Sequence, residues 1–251
     1  MKKYLKTIFK NLLSLPKYII EDHSTSINKN SLLKTFYGIL INKGYSPKCI
    51  YDIGANKGTW TQETIKYFPN SKYYLFEPQI SLTKEIQSKF TNLNSVQLFN
   101  VGVGNQDGEL NFTIHDRDDS CSFNISKEEA LENGFKQIKT PIVRLDSFIE
   151  ENNLELPDLL KIDAEGFDIE VLEGAQNTIQ KNVQIILVEV AIMNKKFRND
   201  INSVINYMDK LGFIVFDITD LNRPFNNNVL WLCEFVFIKK GGLLDIDYSE
   251  L

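Results

Sequence analysis

Cys49-Ile50-Tyr51-Asp52-Ile53-Gly54-Ala55-Asn56-Lys57-Gly58-Thr59-Trp60 is the stretch on which the reading of this chain turns. A β-branched and aromatic run ends in Asp52, Gly54 and Gly58 follow at once, and a helical pattern runs from Thr59 to Phe68. Strand, tight turn and helix in that order bring main-chain N–H groups and a helix N-terminus close to a ligand, because glycine accepts positive φ and has no side chain in the way. Spacing separates two ligand classes. A dinucleotide fingerprint reads G-x-G-x-x-G, whereas here an acid precedes the first glycine in the pattern Asp52-x-Gly54-x-Asn56-x-Gly58. An ordinary βα connection would use the same residue types, so the neighbouring segments decide.

Working outward, a second strand over Lys72 to Phe76 ends in Glu77-Pro78. An acid at that tip, about 25 residues after Asp52, is placed to accept hydrogen bonds from the two hydroxyls of a ribose. NAD enzymes use the same position, so Glu77 points to an adenosine ligand without choosing among cofactors. A helix over Ser81 to Phe90 leads to a third strand, Val96 to Val101, and to the turn Gly102 to Gly108, where Asn105 and Asp107 are candidates for the adenine edge. Leu110, Phe112 and Ile114 then alternate with Asn111, Thr113 and His115, the period of a half-buried strand. With a short helix over Ser126 to Asn133 and a strand over Ile138 to Leu145, they make an insertion of about residues 109 to 145. It stands beside the cofactor edge as an acceptor platform. Asp116, Asp118 and Asp119 inside it lack the spacing and glycine of a calcium loop and read as a solvated turn, so no metal is expected there.

The second diagnostic run is Leu159 to Ala175, Leu-Leu-Lys-Ile-Asp-Ala-Glu-Gly-Phe-Asp-Ile-Glu-Val-Leu-Glu-Gly-Ala. Its first half reads as a central strand ending at Asp163 and its second as a helix facing the sheet through Ile169 and Leu172. Asp163 and Glu165 then lie at the carboxyl end of the fourth parallel strand, the switch region where ligands sit in such sheets. Val183 to Val190 is a buried strand with Glu189 near its tip. A helix over Ile201 to Leu211 and strands over Phe213 to Ile218 and Leu230 to Lys240 close the chain.

With 43% hydrophobic and 24% charged residues in 251, the chain can bury one full α/β core. A net charge of −5 gives no field that would draw nucleic acid, and no nucleic-acid partner is expected. Three cysteines without a C-x-x-C pair argue for reduced thiols in a cytoplasmic setting. No run of roughly eighteen apolar residues is present, so a transmembrane span is not expected. Met1 to Ile20 spaces lysines among leucines at helical intervals. Two readings stand for it: a weak peripheral helix on an anionic membrane surface, or a helix packing on the domain. A polar linker, Asp22 to Asn30, precedes a helix over Leu32 to Asn42, with Asn30 or Ser31 as its cap and Gly44 closing it. The expected division is a helical extension over 1–46, the main domain over 47–240 and a frayed tail over 241–251.

Asp52-Ile53-Gly54-Ala55-Asn56-Lys57-Gly58 resembles motif I of the class I S-adenosylmethionine-dependent methyltransferases, with Asn56 where many members carry a glycine. Phe76-Glu77-Pro78, Val143-Arg144-Leu145-Asp146, Lys161-Ile162-Asp163-Ala164-Glu165-Gly166 running into Val171-Leu172-Glu173-Gly174-Ala175, and Glu234-Phe235-Val236-Phe237 make the chain similar to the FkbM-type members, over about residues 48 to 240. Glu234 departs from the aspartate common there. The resemblance implies an α/β fold, a doubly wound, mostly parallel, Rossmann-like sheet of seven strands with an antiparallel terminal hairpin, to which the residue pattern adds an inserted β-rich segment and, outside the resemblance, N-terminal helices. It also implies S-adenosyl-L-methionine as cofactor and O-methylation of a hydroxyl on a sugar, glycan or natural product. Cofactor residues would be Asp52, Gly54, Ala55, Asn56, Gly58, Glu77, Asn105, Asp107 and Asp163. For proton removal Asp163 comes first, followed by Glu165, Glu189 and His115. A nucleotide-binding oxidoreductase and a non-catalytic module on the same fold stand as alternatives.

Overall fold

The computed structural model describes residues 29–115, 121–192 and 198–245. The expected helix over Met1 to Ile20 and the Asp116, Asp118 and Asp119 cluster fall outside those residues. Strands β1 (Cys49–Ile53), β2 (Lys72–Phe76), β3 (Val96–Phe99), β7 (Leu159–Ile162), β8 (Ile185–Ala191), β9 (Phe213–Asn222) and β10 (Leu232–Lys239) form one sheet in the order β3-β2-β1-β7-β8-β10-β9. β10 runs antiparallel to both of its neighbours, and the remaining pairs are parallel. The central strands are buried on both faces, which is why β1 and β8 read as apolar runs rather than alternating ones.

Helices cover both faces. On one lie α1 (Lys29–Asn42), α2 (Thr59–Thr64) and α3 (Thr83–Lys89), with Phe36, Tyr37, Leu40 and Ile86 packed on Ile50, Leu187 and Val236. On the other lie α5 (Leu145–Glu151), α6 (Asp168–Gly174), α7 (Gln176–Lys181) and α8 (Ile201–Lys210), with Leu145, Leu172, Ile179 and Met208 packed on Tyr51, Leu160 and Val188. Helix α1 starts at Lys29 and takes in Asn30 and Ser31, so neither residue caps it. Phe36, Tyr37 and Leu40 have no exposed surface. The expected boundary at residue 47 therefore cuts through a shared core. At the other end Leu244 is buried, and Gly241 donates its N–H to Asp245, so the tail is tied down that far.

The insertion is a sheet of its own, β4 (Gly102–Gly104), β5 (Gly108–Ile114) and β6 (Lys136–Arg144) in the order β4-β6-β5, with α4 (Lys127–Asn133) between β5 and β6. It begins earlier than the expected residue 109. The chain leaves the large sheet after Phe99 and re-pairs at Gly102, where an added Cβ would stand 2.5 Å from the Phe123 ring. Asp146, at the start of α5, accepts from the main-chain N–H groups of Asn177 and Thr178 and from the Thr178 hydroxyl, which ties α5 to α7.

Candidate active site

The turn after β1 is closed by contacts within the protein. Gly54 and Ala55 both donate their N–H to the Phe76 carbonyl, Asn56 donates to Glu77 Oε2 at 2.7 Å, Lys57 to the Asn56 side chain and Gly58 to the Ala55 carbonyl. Every amide from 54 to 58 thus has a partner, contrary to the expectation that these groups face a ligand. Gly54 is needed for another reason. At φ +76° it lets the turn meet the end of β7, and a Cβ there would lie 1.8 Å from the Asp163 carbonyl oxygen.

A cleft of about 590 Å³ opens at the carboxyl edge beside this turn. Its polar wall carries Glu77, Asn56 and Asp163, and its apolar wall Val101, Phe112 and Phe123. Glu77 is 3% exposed and accepts from Asn56 N and Gln79 N, one bond to each oxygen. A carboxylate has about four acceptor positions, so the two main-chain bonds do not exhaust it. Burial holds the Glu77 carboxyl above its usual range, with the two main-chain bonds opposing. The cleft thus pairs a buried carboxylate on one side with an apolar wall on the other.

A second cavity of about 300 Å³ lies on the α1 and α2 side. Gly54, Asn56, Thr59 and Asp163 line both hollows. Strand alternation explains its chemistry. On the face carrying Ile50, Leu159, Leu187 and Val236, the next position toward the carboxyl edge is Asp52, Lys161, Glu189 or Glu234. An apolar face thus ends in a row of charges. Lys161 Nζ lies 3.1 Å from Asp163 Oδ2, 3.4 Å from Asp52 Oδ1 and 3.4 Å from the Gly54 carbonyl. Burial pulls its pKa down, but Asp163, Asp52 and Glu234 outweigh that and hold the ammonium above its usual value. Glu234 stands opposite Glu189 across the β8–β10 pair and accepts from the Thr219 hydroxyl at 2.5 Å. Burial raises Glu234 to about 7, against the opposing pull of Lys161 and Thr219. Burial, then the negative charges of Asp163, Glu165 and Asp168, pushes Glu189 well above the ordinary range.

The structure brings together Gly54, Asn56, Glu77, Asp163 and Glu165 around the cleft and places Ala55 and Glu189 at the second cavity. Several expected site residues do other work. Asp52 has no exposed surface and accepts from the Thr61 hydroxyl at 2.6 Å, so it anchors α2 and Lys161 instead of a ligand. Gly58, at φ +71°, caps α2. Asn105 donates to Glu173, and Asp107 accepts from Arg144 N and the Ser147 hydroxyl at the start of α5; neither lines the cleft, because the chain has already turned into the small sheet. The His115 ring packs 4.3 Å from that of Phe135 and lines neither hollow. Sequence reasoning passed over Lys161, Trp60, Thr219 and the inward orientation of Glu234. The switch from apolar to charged at a two-residue spacing near each strand end was the signal available.

The family model described as Methyltransferase FkbM domain matches residues 52–215. The chain is 26% identical over 143 residues to 2-O-methyltransferase NoeI of Sinorhizobium fredii, a match covering 53% of this chain and 59% of that protein. It is 23% identical over 153 residues to Hexuronic acid methyltransferase AglP of Haloferax volcanii, covering 61% and 59%. In each case the chain spans less than two thirds of the relative's length. The fold is similar to that of the crystal structure of Methyltransferase FkbM from Methylobacillus flagellatus, with a TM-score of 0.51 at 14% identity, covering 76% of this chain and 43% of that one.

Proposed function

The chain belongs to the FkbM methyltransferase family, and on that premise we propose that it moves a methyl group from S-adenosylmethionine to a hydroxyl oxygen of a sugar, glycan or related natural product. The observation that carries the choice of cofactor is the closed turn. A dinucleotide needs free main-chain N–H groups for its pyrophosphate, and here those of residues 54 to 58 all have acceptors inside the protein. A nucleoside without phosphate does not meet that obstacle, which weighs against the oxidoreductase reading.

In this reading Glu77 holds the ribose, the wall of Val101 and Phe123 takes the adenine, and Asn56 and Asp163 flank the methionine portion. When bound, the cofactor supplies an electrophilic methyl on a sulfonium. The protein's own contribution is to hold the acceptor hydroxyl in line, which accounts for much of the rate in such transfers, and to receive its proton. The acceptor class is supported by the two relatives, whose names describe a 2-O-methyltransferase and a hexuronic acid methyltransferase. Calorimetry with S-adenosylhomocysteine and with NAD tests the proposal. Binding of the first alone is expected. Binding of NAD alone would overturn it, and cofactor binding without methyl turnover on any saccharide would leave the non-catalytic reading in its place.

A further inference from the structure

We infer that the second cavity is the acceptor chamber, that it takes an uncharged sugar ring against Trp60, and that Glu234 receives the proton of the reacting hydroxyl. The inference rests on the methyl-transfer reading and adds to it a site, a substrate class and a base.

Geometry comes first. The chamber shares Gly54, Asn56, Thr59 and Asp163 with the cleft, so the two hollows are neighbours at the carboxyl edge of β1 and β7. Its volume of about 300 Å³ lies at the lower end of the ~300–1,000 Å³ range of small-ligand sites. Trp60, Leu33 and Leu232 supply apolar surface, while Glu189 and Glu234 supply acceptors. A sugar ring has this same division, with C–H groups on its faces and hydroxyls around its edge.

Charge then selects among sugars. Lys161 is the one cation among the described residues lining the chamber, and Asp163, Asp52 and the Gly54 carbonyl already surround it. Glu63, Asp163, Glu189, Asp220 and Glu234 all line the same space. A hexuronate would bring another buried carboxylate to a wall with no free counter-charge, which costs more than any hydrogen bond returns. Neutral sugars carry no such penalty.

Glu234 lines the chamber and accepts from the Thr219 hydroxyl. Glu234, raised by burial to about 7, combines ionisation near neutral pH with real proton affinity. The step balances: the hydroxyl oxygen gains the methyl carbon, the methyl–sulfur bond breaks with its electron pair on sulfur, and the hydroxyl proton passes to Glu234.

The test uses the full chain saturated with S-adenosylhomocysteine and saturation-transfer NMR on methyl glycosides of neutral hexoses and of the matching hexuronic acids. Neutral glycosides are expected to show contact and hexuronides at least tenfold weaker contact. Trp60→Ala should abolish the contact and Trp60→Phe should keep part of it, with S-adenosylhomocysteine affinity within about twofold in both. For the neutral glycoside that turns over, Glu234→Gln should lower the single-turnover rate by about 10²–10⁴-fold while NMR contact persists. Equal binding of hexuronides, contact unchanged in folded Trp60→Ala, or an undiminished rate in Glu234→Gln each overturns the inference. Loss of S-adenosylhomocysteine binding by the unaltered chain would instead sink the methyl-transfer reading itself.

Discussion

Changing Glu77 to Gln perturbs two functions of one side chain, and the structure lets each be sized. In the protein the carboxylate accepts from Asn56 N at 2.7 Å and from Gln79 N at 2.9 Å, which pins the β1 turn to the tip of β2. An amide keeps one acceptor oxygen and turns its NH₂ toward the other donor, so one charge-assisted bond is lost and a buried N–H is left facing another donor. That costs about 1–3 kcal/mol. For a chain of this length it corresponds to a fall in Tm of about 2–12 °C. Toward the ribose the amide loses the charge and one of two acceptors, again about 1.5–3 kcal/mol, or roughly tenfold to a hundredfold in affinity for S-adenosylhomocysteine. Differential scanning fluorimetry and titration calorimetry on the same preparation read the two effects separately. A folded variant whose affinity is unchanged would refute the ribose role, and an unchanged Tm would refute the pinning role. The same group predicts a pH effect. Only the ionised carboxylate accepts from two hydroxyls, and burial raises its pKa. Affinity should therefore decline on acidification at a higher pH than an exposed glutamate would cause.

A chain beginning at Pro47 loses Leu33, Phe36, Tyr37 and Leu40, four side chains buried on the sheet; at about 1.5–3 kcal/mol each, the loss is comparable to a domain's whole stability, and circular dichroism should show no cooperative melt. Asp146→Ala removes three acceptor contacts between α5 and α7 and should lower stability in urea titration by about 1–3 kcal/mol, with cofactor affinity unaltered because the residue lies outside both hollows.

The order of elements was legible in the sequence because each rests on a local rule. Apolar runs such as Ile185 to Val190 make buried strands, and glycines at φ > 0 close turns wherever they fall. Glu77 and Asp163 could likewise be placed, since a residue at the carboxyl end of a parallel strand must lie on the ligand edge. The local rules failed where a partner distant in sequence takes the group. Asp107 reads as a free turn residue until Arg144 and Ser147 arrive beside it, and the amides of 54 to 58 read as open until Phe76 and Glu77 cover them.

Chemistry in the second cavity was decided by the tertiary structure alone. Lys161, Glu189, Thr219 and Glu234 come from four strands, and only the pairing of β7 with β8 and of β10 with β8 and β9 brings them to one face. Whether a carboxylate there is a base, an anchor or an ion-pair partner depends on how much water and how many opposite charges remain around it. Those are set by burial and by neighbours across the sheet. A sequence written in one dimension carries the residue type and its parity on the strand; the field at its oxygen atoms exists only once the strands have paired.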